Sequence, residues 1–350
     1  MNDPVSGEAS KGTQDAYAAA GVDQAAADDA VAALVRSLSR IDTGKPSRVV
    51  PLPGHYASVL RIDDRLGLAF GADGVGTKMV LAERMSRFDT IGIDCIAMNV
   101  NDLVCVGAEP IAMVDTILCR DADPEVIGAI GEGLRRGAEL AGIEIPGGEI
   151  AQVGDVVSGW ELSGSAIGLV NLDAIVTGDR IEVGDALIGL PSSGLHSNGY
   201  TLARKALDRI PLEDERLGEP LGEVLLEPTT IYVRAVLDLL ASDVDVHGLA
   251  HITGDGLNNL LRLSRDVGYE LSDPLPVPPV FDLIAAEGDV GEKEMYEVFN
   301  MGLGFVCVVP AGHADRAIEL LAARHPGSRR IGTVTADAGV VSRAGGLHST

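Results

Sequence analysis

Apolar and polar positions along this chain change period repeatedly, and each change marks an element. Apolar spacing of three and four over 25–38 predicts a helix, which the Thr-Gly and Lys-Pro pairs within 42–48 end. Strands are expected over 59–62 and 66–70, paired around Asp63-Asp64, with a short helix over 79–86. The segment 90–107 is apolar nearly all round and therefore reads as a helix of the interior. A strand bearing Asp115 over 110–118, a proline-started amphipathic helix over 124–140 and a strand of small and branched residues over 161–170 complete one α+β unit. A new series of elements is expected at 186–190, 198–209, 221–240 and 248–252. Helices over 255–265, 292–299 and 314–324, a buried strand over 302–309 and short strands at 332–334 and 340–342 close the chain. Polar, small residues through about Gly21 read as mobile until Val22-Asp23 docks, and 274–279 reads as a proline-rich connector.

At 350 residues the chain exceeds the size at which one hydrophobic core keeps growing. Two domains are expected, 1–172 and 173–350, with the boundary near 172–178. The fold class is α+β, two α/β-type domains facing each other across a cleft. Hydrophobic residues make up 46%, no apolar run reaches membrane-spanning length and no basic-then-apolar leader is seen, so a soluble cytoplasmic protein with no membrane partner is expected. The formal charge of −25 argues against a nucleic-acid partner, because a phosphate backbone would be repelled. Salt adaptation and a merely acidic proteome both account for it. The four cysteines, Cys95, Cys105, Cys119 and Cys307, lack a Cys-x-x-Cys spacing and read as reduced, packed thiols.

Only five lysines are present, which draws attention to Lys78 at the end of the glycine-rich Gly71-Ala-Asp73-Gly74-Val-Gly76-Thr77-Lys78. Such glycines let backbone N–H groups approach an anion, and a helix starting at the turn adds its positive end. Gly71 and Gly76 have the spacing of a Walker A loop, but Thr77 precedes Lys78 where that motif has lysine first, so an ordinary P-loop is not expected. A turn with glycines chosen only for positive φ is the plainer alternative.

The apolar helix behind the turn carries Asp94, Asn99, Asn101 and Asp102. Asp94 and Asn101 differ by about 20° in azimuth, and Asp102 lies about 80° from Asp94, so they share one side. One lysine cannot neutralise Asp73, Asp94 and Asp102, and nucleotide phosphates would deepen the deficit. Oxygen ligands without clustered His or Cys point to Mg²⁺ held by Asp73, Asp94 and Asp102, with ATP at Asp73, Gly74, Gly76, Thr77, Lys78, Asp94 and Asn101. Structural capping or salt bridging by the carboxylates is the alternative. A second candidate anion site is Ser192-Ser-Gly-Leu-His-Ser-Asn-Gly-Tyr200, where Ser197 or Asn198 can cap a helix starting near Gly199 and His196 can donate, accept or carry charge. A capped helix with a surface histidine explains the same residues. The pair His247 and His251 is not read as a metal site, since a strand is expected there and no third ligand is near.

Gly74-Val-Gly-Thr-Lys78, Gly92-Ile-Asp-Cys-Ile-Ala-Met-Asn-Val-Asn-Asp-Leu103 and Gly107-Ala-Glu-Pro110 resemble the phosphoribosylformylglycinamidine cyclo-ligase family, the aminoimidazole ribonucleotide synthetases. The resemblance begins at Ala20-Gly-Val-Asp23. It continues through Gly147-Gly-Glu149, the 192–200 block, Leu226-Glu-Pro-Thr229 with Ile231-Tyr232, His251-Ile-Thr-Gly254, and Met295-Tyr296 with Phe299-Asn300. It implies ATP-dependent closure of formylglycinamidine ribonucleotide to aminoimidazole ribonucleotide, with ADP and phosphate released, and a homodimer formed through the amino-terminal sheets. By the same resemblance Lys78 and His196 are catalytic, and Glu149, Ser193, His196, Ser197 and Asn198 contact the ribonucleotide. The chain departs from the family pattern at 48–56, 150–154 and 254–256, loops expected to meet ligands. Other ATP users of the superfamily, such as thiamine monophosphate kinase and selenophosphate synthetase, and a non-catalytic nucleotide-binding relative are the alternatives. The His-Ser-Asn-Gly-Tyr block speaks against the two enzymes.

Overall fold

The computed structural model describes residues 24–344 and 347–349, so the expectations for the polar start and for 20–23 lie outside the described residues. Helix α1 (Gln24–Leu38) precedes strands β1 (Val49–Val50), β2 (Ser58–Arg61) and β3 (Leu66–Gly74). Helices α2 (Lys78–Met85) and α3 (Ile91–Cys105), strand β4 (Glu109–Cys119) and helix α4 (Pro124–Ala141) follow, then β5 (Gly148–Gln152) and β6 (Trp160–Asn171). These strands form a six-stranded sheet in the order β1-β2-β3-β6-β4-β5. It is antiparallel except for the β4–β5 pair.

The all-round apolar character of α3 has a direct cause. Every one of its residues except Asp102 is buried, because it packs on β3, β4 and β6, on α4, and on the carboxyl-terminal half. Close approach of α3 and α4 depends on Gly92, where an added Cβ would stand 2.1 Å from the Leu134 backbone nitrogen. Helix α4 starts as expected, with Pro124 in its first turn and the Asp123 carboxylate accepting from the Glu125 N–H. The sheet face opposite α3 is open. Phe70 pairs with Ile167 and Val114 with Ser165 on that face, and Phe70, Val114 and Ile167 are 37%, 44% and 36% exposed.

The second half contains β7 (Ala186–Pro191), α5 (Tyr200–Ala206), α6 (Leu221–Leu226), α7 (Val233–Leu240), β8 (Gly248–His251) and β9 (Gly268–Leu271). It ends with α8 (Pro279–Gly288), α9 (Glu292–Val298), β10 (Leu303–Val309), α10 (Ala314–Ala322), β11 (Arg329–Thr335), β12 (Val341–Arg343) and β13 (Leu347–Ser349). Its seven strands run β13-β12-β9-β11-β7-β10-β8, with β10 wholly buried. The single element expected over 221–240 is two helices, the helix over 255–265 is a 3₁₀ turn at Gly256–Arg262, and 279–288, expected to be connector at its start, is α8. All four cysteines are buried free thiols.

Candidate active site

Strand β3 runs through Gly74, so Gly71, Asp73 and Gly74 are paired to β6 and only Val75, Gly76 and Thr77 form the turn before α2. Gly76 takes φ +68°, and the Thr77 hydroxyl lies 3.1 Å from that of Thr201 across the two halves. Lys78, the first residue of α2, points inward and is fully buried. Its ammonium has three protons and three acceptors: the Asp94 carboxylate at 2.9 Å, the His196 carbonyl at 3.1 Å and the Glu227 carbonyl at 2.7 Å. Desolvation pushes its pKa down and the Asp94 charge opposes that.

Asp94 Oδ1 also accepts from the Thr229 N–H at 2.8 Å, the Thr229 hydroxyl at 2.6 Å and the Ser197 hydroxyl at 3.2 Å. Lys78 and Asp94 bolt α2 and α3 to the 192–198 and 227–229 segments: all three ammonium protons are committed, while Asp94 Oδ2, 2.9 Å from the ammonium, is enclosed without a hydrogen bond of its own. The break between α6 and α7 is what makes the bolt. Pro228 disfavours helix at Glu227, which frees the Glu227 carbonyl and turns Thr229 toward Asp94. Thr229 lies in the Leu226-Glu-Pro-Thr229 block, and a polar residue directly after a helix-breaking proline is the sequence signal that marks it.

A second link uses the other polar positions of α3. Asn101 accepts from the Tyr232 N–H at 2.9 Å and donates to the Thr230 carbonyl at 2.9 Å, so it holds the backbone of the other half. Asp102 lies 2.9 Å from His251 Nδ1, whose Nε2 is 3.4 Å from Asn101 Nδ2. A neutral ring with its proton on Nδ1 satisfies both neighbours. Asn101 is thus placed as a strut between the two halves, whereas Asp102 retains an exposed edge of 22%. Asn99, on another side of α3, brackets Asp73 by accepting from its N–H and donating to its carbonyl, each at 3.1 Å.

The carboxylates that remain open lie along the sheet. Asp73 pairs with Gly164, Gly164 with Asp115, and Asp115 with Gly148, so one row crosses β3, β6, β4 and β5. Register partners share a face, which puts Asp73 and Asp115 on the α3 side, about 10 Å apart at two strand spacings. Met113 and Asn99 fill the space over Gly164, with Met113 Sδ 2.6 Å from where a Cβ would stand, and Asp115 occupies the place a Cβ on Gly148 would need, 2.4 Å from its Oδ1. Both carboxyls are pushed up from their usual range, chiefly by desolvation; Asp102 raises Asp73 further. Glu149 sits one residue past this row on edge strand β5, about 14 Å from β3 at three strand spacings, and the structure does not bring it to the bolt. The expected trio of Asp73, Asp94 and Asp102 does not form one cage. Among the described residues no three His, Cys, Asp or Glu groups gather closely enough to hold a metal.

In the 192–200 segment, Gly194, His196 and Gly199 have φ of 156°, 63° and 74°, so the chain coils tightly before α5. His196 is fully enclosed; its Nε2 accepts from the Ser193 N–H at 3.3 Å, and burial pushes its pKa well down. The ring shapes the coil, and its Nδ1 is enclosed with no hydrogen-bond partner among the described residues. Neither Ser197 nor Asn198 caps α5, since Gly199 holds the cap position without a side-chain bond. Ser193 donates to the Pro228 carbonyl at 2.6 Å and borders an interdomain cavity of about 420 Å³. Asn300, a family block residue not ranked earlier, accepts from Ser192 and donates to the Gly194 carbonyl.

The departures at 48–56 and 254–256 pack on one another. Tyr56 donates to the Asn259 carbonyl at 3.1 Å, Arg262 lies 5.1 Å over the Tyr56 ring, and Arg262 pairs with Asp255 at 3.2 Å. The stretch 150–152 is part of β5 rather than a loop.

Two α/β halves, linked by the hydrogen bonds that a buried ion pair of the first makes to the second, and with carboxylates facing the helix between them, define a two-domain α+β protein. Residues 54–170 match the AIR synthase related protein, N-terminal domain, and residues 182–344 match the AIR synthase related protein, C-terminal domain. The chain belongs to the AIR synthase related family. It is 47% identical over 325 residues to the phosphoribosylformylglycinamidine cyclo-ligase of Methanothermobacter thermautotrophicus, covering 91% of this chain and 94% of that one. To the cyclo-ligase of Thermococcus gammatolerans it is 48% identical over 328 residues, covering 93% and 96%. The fold resembles that of the hydrogenase maturation protein HypE in complex with ATP, with a TM-score of 0.60, 20% identity and coverage of 86% and 89%.

Proposed function

We propose that this protein closes the imidazole ring of aminoimidazole ribonucleotide from formylglycinamidine ribonucleotide, with ATP converted to ADP and phosphate, in purine biosynthesis. The observation that carries this reading is similarity to cyclo-ligases at 47–48% identity running through both domains, over nine-tenths of each chain. In the reaction the formyl amide oxygen attacks the γ-phosphorus of ATP and ADP leaves. The amidine nitrogen then attacks the activated carbon, and the C–O bond breaks to release phosphate.

The open residues fit a nucleotide bound with Mg²⁺ between the domains 1–172 and 173–350. Asp73 and Asp102, one raising the pKa of the other, would hold the ion together with phosphate oxygens, as Mg²⁺ is commonly held by one or two carboxylates plus phosphate. The ion would neutralise charge on the phosphoryl group in transfer. The turn of Gly74, Gly76 and Thr77 would bring backbone N–H groups to the phosphates. Ser193, Asn198 and, from the sheet edge, Glu149 are the proposed substrate contacts. Lys78, Asp94, Ser197, His196 and Asn101 are positioning residues that fix this geometry across the seam, consistent with catalysis by orientation and electrostatics. No helix among the described residues is long and apolar enough to cross a membrane, and a cytoplasmic homodimer meeting through the open sheet face completes the proposal.

ADP release measured with and without formylglycinamidine ribonucleotide tests it. Substrate-dependent turnover lost in Asp73→Asn, with folding intact, is the expected result. ATP binding without turnover of this substrate would sink the assignment.

A further inference from the structure

A cavity of about 350 Å³ that includes none of the bolt or carboxylate-row residues is lined by Val80 and Arg84 of α2 and by Arg204, Lys205 and Asp208 at the end of α5. Three cations against one carboxylate is a local excess of positive charge in a chain with 27 Lys and Arg against 52 Asp and Glu. Several arginines among the described residues are matched by carboxylates, as Arg87, Arg135, Arg216 and Arg316 are. Arg84 and Arg204 have no such partner among the described residues. Arg204 Nε is enclosed and no protein group accepts its proton. Burial and the facing Arg84 charge both push the Arg204 guanidinium down. Cations at the end of a short helix can answer its negative pole, which would account for Arg204 and Lys205; it does not account for Arg84 arriving from the other domain.

We propose that this cavity is a binding site for the phosphate group of a small phosphorylated metabolite, gripped between Arg84 and Arg204. Arginine forks match phosphate oxygens two at a time, and a phosphate here would satisfy Arg204 Nε and remove the repulsion between the guanidiniums. The cavity is within the size range of small-ligand sites. Because Arg84 belongs to the helix that begins with Lys78, and Arg204 to the helix that follows the 192–198 coil, an occupant would clamp the two domains together beside the Thr77–Thr201 contact. Thr77 also belongs to the proposed nucleotide turn, so the test fills that site with ATP first and reads the cavity apart from the ring-closure reading.

Titration calorimetry of the full chain saturated with ATP, at fixed ionic strength, reads it with inorganic phosphate and ribose 5-phosphate as probes. Wild type should bind, and Arg84→Glu and Arg204→Gln should each weaken binding at least about tenfold, the scale of losing a charge-assisted pair, with ATP affinity unchanged. Arg84 is exposed, so its variant tests the site without threatening the fold. Tighter binding of ribose 5-phosphate would identify a sugar phosphate as the occupant, and equal binding would identify free phosphate. No binding to the ATP-saturated wild type, or equal binding by Arg84→Glu, overturns the proposal.

Discussion

At the scale of single residues, the seam depends on a fully buried ion pair, and such pairs confer alignment more than stability. Removing one partner leaves a charge in a medium that cannot solvate it, at a cost of about 3–5 kcal/mol. Lys78→Met is therefore expected to lower the unfolding free energy by that order. The double variant Lys78→Met, Asp94→Leu should recover most of the loss, read from urea unfolding curves. Additive losses would show that the two residues do not act as a pair. A second residue sets a pH response. His55, partly buried, is pushed from 6.5 to about 4, by desolvation first and by Arg262, while Asp102 and Asp179 oppose the shift. Its folded value lies below its unfolded one, so between the two the unfolded chain binds more protons. Stability is complete above about pH 6.5 and falls as the pH drops toward 4, by a total on the order of 3 kcal/mol from this group. Buried His196 and half-buried His325 shift in the same direction and add to the slope. Denaturation midpoints across this range should be flatter in His55→Gln; an unchanged slope would remove His55 as a contributor.

Among elements, α3 is the one on which both domains converge, and its contact with α4 leaves no room for a methyl group at Gly92. Gly92→Ala should separate the helices and cost roughly 1–3 kcal/mol, the usual range for overpacking, despite alanine's better helix propensity. A melting temperature equal to or above that of wild type would contradict the packing. This helix was readable from composition alone, since a run without a polar face has to lie inside. Its polar positions were readable as important, but not as directional: azimuth grouped Asp94, Asn101 and Asp102 on one side, whereas the fold sends Asp94 to Lys78, Asn101 to the Thr230 and Tyr232 backbone, and Asp102 to His251. Those partners lie more than a hundred residues away along the chain except Lys78, and local spacing carries no trace of them. Strand β5 escaped notice because an exposed edge strand opening on glycine shows no apolar alternation. Helix α8 was masked by Pro278 and Pro279, which read as a connector although proline is well suited to a first turn. The glycines at 71 and 74 suggested a loop, yet they lie in β3, where pairing with β6 overrides local preference.

For the whole molecule, the unsolved surface is the outer face of the first sheet. Its exposed Phe70, Val114 and Ile167 lie on neighbouring strands β3, β4 and β6, so they form a patch and not scattered residues. The proposed homodimer would bury this patch against its own copy about a two-fold axis, an arrangement in which one substitution is felt twice. The chain's charge of −25 works against association at long range. Added salt screens that repulsion, to about 3 Å near 1 M, while leaving apolar contacts in place. Dimer formation should therefore strengthen with salt, the opposite of an interface held by ion pairs. Ile167→Asp would bring two carboxylates into the apolar contact and should yield a folded monomer at concentrations where wild type sediments as a dimer. Sedimentation velocity from low salt to about 1 M, with circular dichroism to confirm folding, separates the possibilities. A wild-type monomer throughout would remove the sheet-to-sheet dimer, and a dimer that survives Ile167→Asp would move the interface to another face.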